Sequence, residues 1–450
     1  MPSHRVMWAG VAAGVILSAV VCYGVATQQW IAGSAEGDWV YPYIAAYDAR
    51  HARMFARLAA GALILLTIPV NRRTAWRLVV VWILAATLAH WHLRTKAPIS
   101  IERVFLSPGA NSFYTLAQER RPGEILANFE QVRLEAPMHA QSNLPGKTLL
   151  VHALEMVSTR TDVLPWLLVI LSNLGALLMF GLARDLFSDD RAALYAAVLY
   201  LFTPSRVFFF PLMNTVTPVF VLLFAWLTVR WFMTGRSSYA AASGVALYAL
   251  VFFEPLPLVM GLLLGALGIA AIARGDIRVE RFVAHAGLMV LVFVAVAVAV
   301  DVATGFHLWQ AVRAIGKHAV AFNEAVGRPY GVWVRANLIE FMFAAGPAQV
   351  VLAIIAAAAA WRPSGSLRDW LSAPIVVTVC GLFAVLITID LAGINRGEIT
   401  RLWIFLACFF QLPAAYACAG LNNRAAIAAV LAITLLQVSL STAMIGWVVP

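Results

Sequence analysis

Apolar residues run along this chain in blocks of about 15–25, the length a helix rising ~1.5 Å per residue needs to cross ~30 Å of hydrocarbon. The pattern predicts membrane helices from Val6 to Ala26 and over 56–70, 75–92, 164–183, 191–204, 216–234, 238–252, 256–273, 283–301, 336–360, 373–390, 402–420 and 425–447. That is about thirteen spans, or 11–13 once the shorter blocks are weighed. The first block is long enough to cross, and no small-residue cleavage pattern precedes Gln28, so it reads as a retained helix. Residues 145–158 are too short for a span and read as a helix at the interface. The expected fold class is all-α: a single polytopic membrane domain over residues 1–450, with interfacial helices in its long loops.

Arginine in short links marks the cytoplasmic side. With the N-terminus inside, the links Asn71–Arg77, Arg184–Arg191, Arg230–Arg236, Arg274–Arg281 and Arg362–Arg368 each hold two or three arginines. The outer face then receives the loops 28–57, 94–145, 303–335 and 391–401, where the chemistry is expected. A transporter would instead place polar groups at mid-membrane and often show repeated halves. No internal repeat is visible here.

Composition sharpens this picture. Only 12% of the 450 residues are charged, against ~25% in soluble domains, which excludes a soluble enzyme. The net charge of +10 is scattered without a run of five basic residues, so no nucleic-acid partner is indicated. The four cysteines lie in or beside apolar segments with no paired spacing. Metalloprotease, serine-hydrolase and P-loop signatures are absent from the sequence. Usage rich in Ala, Val and Arg but poor in Lys suggests a GC-rich bacterial genome, hence the inner membrane with an active face toward the periplasm.

Several strings carry candidate chemistry. In Asn395-Arg396-Gly397-Glu398-Ile399-Thr400-Arg401-Leu402-Trp403, Arg401 and Arg396 suit an anionic phosphate, with Glu398 fixing a guanidinium. An interfacial Arg–Glu cluster beside a belt tryptophan gives the same string. Asn143-Leu144-Pro145-Gly146-Lys147 delivers Lys147 to a helix start, as a phosphate ligand or as a snorkelling lysine. Around Asp38, aromatics beside a carboxylate fit a sugar site or an aromatic belt. Residues 110–119 form a short amphipathic piece. Arg206, Glu254, Asp301, Glu340 and Asp390 fall near outer helix ends, and Lys317, His318 and Arg328 add basic loop charge.

These features together resemble the polytopic GT-C glycosyltransferases, such as protein mannosyltransferases and cell-wall arabinosyltransferases, which use polyprenyl-phosphate sugars on the outer or lumenal face. The architecture matches over the whole chain and the motifs in three short stretches. Asn143–Lys147 is similar to the Pro-containing bend after the first large outer loop, with Asn143 in support. Arg396–Trp403 is similar to the Gly-Glu-x-x-Arg-x-Trp opening of a late helix. Pro204–Pro218 is a weaker likeness. The resemblance implies a polyprenyl-phosphate sugar as donor, an envelope glycan, lipid or protein as acceptor, and donor-phosphate binding by Arg401, Arg396 and Lys147. Where the family commonly has an Asp-Glu pair before aromatics, this chain has Asn111-Ser112-Phe113-Tyr114. An amide cannot act as a general base. The base then comes from elsewhere, Asp38 first and Glu102 second, or the alignment differs, or transferase activity is lost; a lipid-linked sugar carrier and a non-catalytic scaffold of envelope synthesis are the rival readings. A divalent cation is left open, since no dense carboxylate cluster is visible.

Overall fold

The structure is a computed structural model that describes residues 4–71, 73–360 and 365–449. Arg72 and Arg362, two of the link arginines, lie outside the described residues. The chain is mainly helical. Among the described residues the named strands are a two-residue pair, Gly33–Ser34 antiparallel to Trp39–Val40.

Among the described residues, eight helices are long and apolar enough to cross a membrane: His4–Ala26, Ala75–Arg94, Leu164–Phe187, Met213–Thr234, Leu256–Arg274, Val279–Thr304, Pro374–Leu391 and Arg424–Met444. A ninth results if Tyr330–Ala345 and Pro347–Ala360, which meet at 96°, count as one span. The thirteen expected from the sequence are thus not matched one for one, and the local reasons are visible. The block 336–360 bends at Gly346-Pro347, where proline offers no N–H and Gly346 takes a φ of +97°. The block 191–204 yields only the 12 residues Asp190–Leu201, about 18 Å of helix, stopped before Pro204. That helix is buried on every side, packed between Leu164–Phe187 and Gln411–Gly420, so its uniform apolarity reflects a protein environment. The block 56–70 lies in Ala49–Leu66, whose first turns carry Arg50, Arg53 and Arg57. The block 402–420 is divided between Ile404–Phe409 and Gln411–Gly420, and 238–252 forms the 17-residue Ser237–Phe253.

Small residues let helices approach closely. A Cβ on Gly244 would stand 2.4 Å from the Met289 carbonyl oxygen, so only glycine seats Ser237–Phe253 against Val279–Thr304. The latter helix buries none of its own residues and presents Val283, Leu291 and Val298 outward.

The long loops gather at one end of the bundle. Residues 101–141 form five short helices, Ile101–Leu106, Ser112–Glu119, Pro122–Ala127, Phe129–Glu135 and Met138–Gln141, followed by Gly146–Glu155. Their apolar sides meet bundle residues in one cluster, with Phe105, Phe113, Leu116 and Val132 against Leu168, Met213 and Phe253. Burial of this kind, worth about 25 cal/mol per Å² of apolar surface, makes the loop a packed cap. The Gly33–Val40 hairpin sits nearby with Gly37 against the Trp333 ring, and the C-terminal segment is pinned by Gly446 N–H donating to the Pro42 carbonyl at 2.8 Å.

Candidate functional site

Two consecutive residues of the Asn395–Trp403 segment are left-handed: Gly397 at φ +81° and Glu398 at φ +57°. A Cβ on Gly397 would lie 2.7 Å from the Trp333 ring, so glycine is required by both conformation and space. Glu398 has no such freedom, and two ion pairs hold it there. Its Oε1 accepts from Arg328 Nη2 at 2.9 Å and its Oε2 from Arg401 Nη2 at 2.6 Å. Arg328 also donates to the Arg396 carbonyl at 2.7 Å, and Arg396 returns a bond to the Arg328 carbonyl at 3.0 Å. From below, Asn337 donates to the Asn395 carbonyl and accepts from Gly397 N–H, while Glu340 Oε2 accepts from the Thr400 hydroxyl at 3.1 Å. Trp403 is buried and donates to Asn395 Oδ1 at 3.1 Å. The segment is therefore fixed as a unit.

Lys147 begins the Gly146–Glu155 helix and is 1% exposed, so it does not snorkel. The chain enters this helix so close to Phe252 and Phe253 that a Cβ on Gly146 would meet the Phe252 carbonyl oxygen at 2.5 Å. Nζ pairs with Glu254 Oε2 at 3.0 Å and donates to Asn143 Oδ1 at 2.8 Å. Thr217 donates its hydroxyl to the same Glu254 oxygen at 2.5 Å. Burial lowers the Lys147 pKa, Glu254 opposes the shift, and Arg401 adds to it.

His139 joins the two halves. Its Nε2 stands 3.4 Å from Arg401 Nη1, and Asn143 donates to its carbonyl at 2.8 Å. Burial, reinforced by the Arg401 and Lys147 charges, pushes the imidazole down to about 4, so it is neutral at physiological pH. Neutral His139 leaves Arg401 with an electropositive side: among the described residues Nη1 meets only the imidazole, and Nε is buried without a partner. Burial works against ionisation of Glu398, but Arg401 and Arg328 outweigh it and hold the carboxylate below its usual range. The buried Tyr41 hydroxyl is pushed up by burial and by the Glu340 and Glu398 charges, which places it beside the same cluster.

Arg401, Arg396, Glu398, Lys147 and Asn143 are thus brought into one assembly. Asp38 lies at its edge, exposed at the hairpin turn with φ +55°, next to Trp39, whose ring is stacked under Arg328 at 5.1 Å. Glu102 stands apart, accepting from Thr161 at 2.6 Å in a shallow cleft with Ser100, Arg103 and Ser107. Asn111 is 1% exposed and donates to the Phe105 carbonyl at 3.0 Å, and Ser112 accepts from Ala140 N–H at 3.1 Å, which places His139. Tyr114 faces away from the cluster, its ring 4.8 Å from Phe105. Among the described residues, no three His, Cys, Asp or Glu side chains converge as a metal set.

His139 carries no local sequence signal and was not among the candidates. Glu254, Glu340 and Arg328 stood out only as isolated charges, because their partners are far away in the chain. Arg206 is fully buried and donates to the Ser172 and Leu201 carbonyls and to Asn173, tying helices together. No family model matches the chain, and no curated protein is significantly similar to it.

Proposed function

We propose that the protein is an inner-membrane glycosyltransferase that moves a sugar from a polyprenyl-phosphate donor to a cell-envelope glycan, lipid or protein on the periplasmic side. In this reading the helices too short or too charged to qualify as spans complete a bundle of about thirteen, and the loop-bearing end faces outward. The observation that carries it is the convergence of Arg401 with His139 and Lys147 from two stretches far apart in the chain, with Arg401 Nε unpartnered among the described residues. A partly buried guanidinium with an unpaired Nε, beside a neutral imidazole and a preorganised lysine, suits a phosphate whose charge grows as it leaves.

The reaction is a single displacement. An acceptor hydroxyl oxygen attacks the anomeric carbon, the bond from that carbon to the phosphate oxygen breaks, and the lipid phosphate leaves with the electron pair. Asp38 takes the hydroxyl proton, giving inversion. Asn111 is committed to Phe105 and is no base, which is the one observation favouring a lipid-linked sugar carrier instead.

Purified protein in nanodiscs with radiolabelled polyprenyl-phosphate mannose or arabinose and a membrane-extract acceptor tests the reading. Label transfer that is lost in Asp38→Asn supports it. Movement of labelled lipid across a vesicle bilayer with no transferred label replaces it with the carrier.

A further inference from the structure

A second basic group lies outside this cluster. Arg94 ends the Ala75–Arg94 helix and is 8% exposed. Among the described residues its side chain has no hydrogen bond and no ion pair, and its Nε is buried without a partner. A guanidinium keeps its charge at any physiological pH, so burial without an acceptor is unfavourable unless something supplies one. Arg94 lines a cleft with Ile44, Pro98, Phe208, Thr442 and Trp447, and it is the charged residue of that lining.

Thr442 gives the second observation. Thr87, Thr228, Thr378 and Thr434 each return their hydroxyl to the carbonyl four residues back, as helical threonines commonly do. The Thr442 hydroxyl is buried and makes no such bond. An orphan hydroxyl and an orphan guanidinium therefore line one cleft, and no carboxylate does. Its interior space is about 20 Å³, room for about one water-sized group, so an occupant seats one oxygen there and keeps its bulk outside.

We propose that this cleft is an oxyanion site that seats one oxygen of a phosphate group held at its mouth, with Arg94 and Thr442 donating to that oxygen. Leu84, Leu88 and Trp91 form an exposed apolar stripe on the same helix leading up to Arg94, which suits a phosphate carried on a lipid. The site is separated from the Arg401 cluster by an aromatic wall in which Trp447 stacks on Phe208 at 4.5 Å and meets Tyr41 at 4.8 Å. It does not depend on the transferase reading.

The test uses the full chain in nanodiscs of zwitterionic lipid, with graded phosphatidic acid in the disc or inorganic phosphate in the buffer. Retained lipid is counted by native mass spectrometry and melting is followed in parallel. Wild type and Arg94→Gln are compared, each with and without Arg401→Gln, so that phosphate held by the other cluster is subtracted. Wild type is expected to retain one phosphatidic acid and to melt higher with it, and Arg94→Gln to bind at least tenfold more weakly while melting no lower without anion. Stabilisation by inorganic phosphate as well would support the site with free phosphate as its ligand; stabilisation by lipid alone would support a lipid headgroup. Equal responses of wild type and Arg94→Gln to both probes would overturn the proposal. Thr442→Val is the milder variant, expected to weaken binding several-fold, and it decides the matter in the same way if Arg94→Gln does not fold.

Discussion

Lys147 and Glu254 are worth most to the protein as a pair. Removing one partner of a buried ion pair leaves an uncompensated charge, at a cost of about 3–5 kcal/mol. Lys147→Met should therefore lower the melting temperature sharply, and Lys147→Met with Glu254→Gln should recover much of the loss, as measured by thermal melts in nanodiscs. His139 supplies a pH dependence. Its pKa lies at about 4 in the folded protein against an ordinary 6.5, so between these values the unfolded chain binds a proton that the folded one does not. Stability is then full above about pH 6.5 and falls as pH drops toward 4, by about 3 kcal/mol in all. His139→Gln should flatten that window while leaving the further loss at lower pH caused by protonation of Glu398. At this scale the sequence was informative about single charges. Lys147 after Pro-Gly and Arg401 at a helix opening stand out locally, but Glu254, Arg328 and His139 acquire meaning only when the fold brings them together.

At the scale of elements, the Asn395–Trp403 segment depends on its left-handed pair. Gly397→Ala meets both an unfavourable backbone region and the Trp333 ring, and is expected to cost about 1–3 kcal/mol and to displace Arg401. A melt 5 °C or more below wild type together with weakened donor binding would bear this out; a neutral substitution would show that the segment is not fixed as described. The helix Ser112–Glu119 was legible from its amphipathic pattern, and Gly146–Glu155 as a helix too short to span from its length. The bend at Gly346-Pro347 and the shortness of the buried Asp190–Leu201 were not legible, because apolar composition does not distinguish lipid from protein surroundings.

For the whole molecule, the arrangement of loops makes a claim about sidedness. In a Cys380→Ala background, Asp38→Cys and Gln310→Cys should react with a membrane-impermeant maleimide on intact spheroplasts. Ser238→Cys and Asp276→Cys should react only after permeabilisation. The opposite pattern would move the candidate site to the cytoplasm and end the periplasmic reading. Helical membrane class and a loop-rich end were readable from block lengths and arginine links; the number of spans was not, since five blocks lie in helices that are short, bent, broken or charged.

The central claim is that Arg401 stabilises a departing lipid phosphate, and donor-dependent transfer kinetics of Arg401→Gln in nanodiscs test it most directly. In Arg401→Gln, kcat/KM for the polyprenyl-phosphate sugar is expected to fall at least 100-fold, about 2.7 kcal/mol, the loss typical of removing one preorganised donor. Melting in the absence of donor should confirm that the variant is folded. Transfer at the wild-type rate by folded Arg401→Gln would contradict the claim.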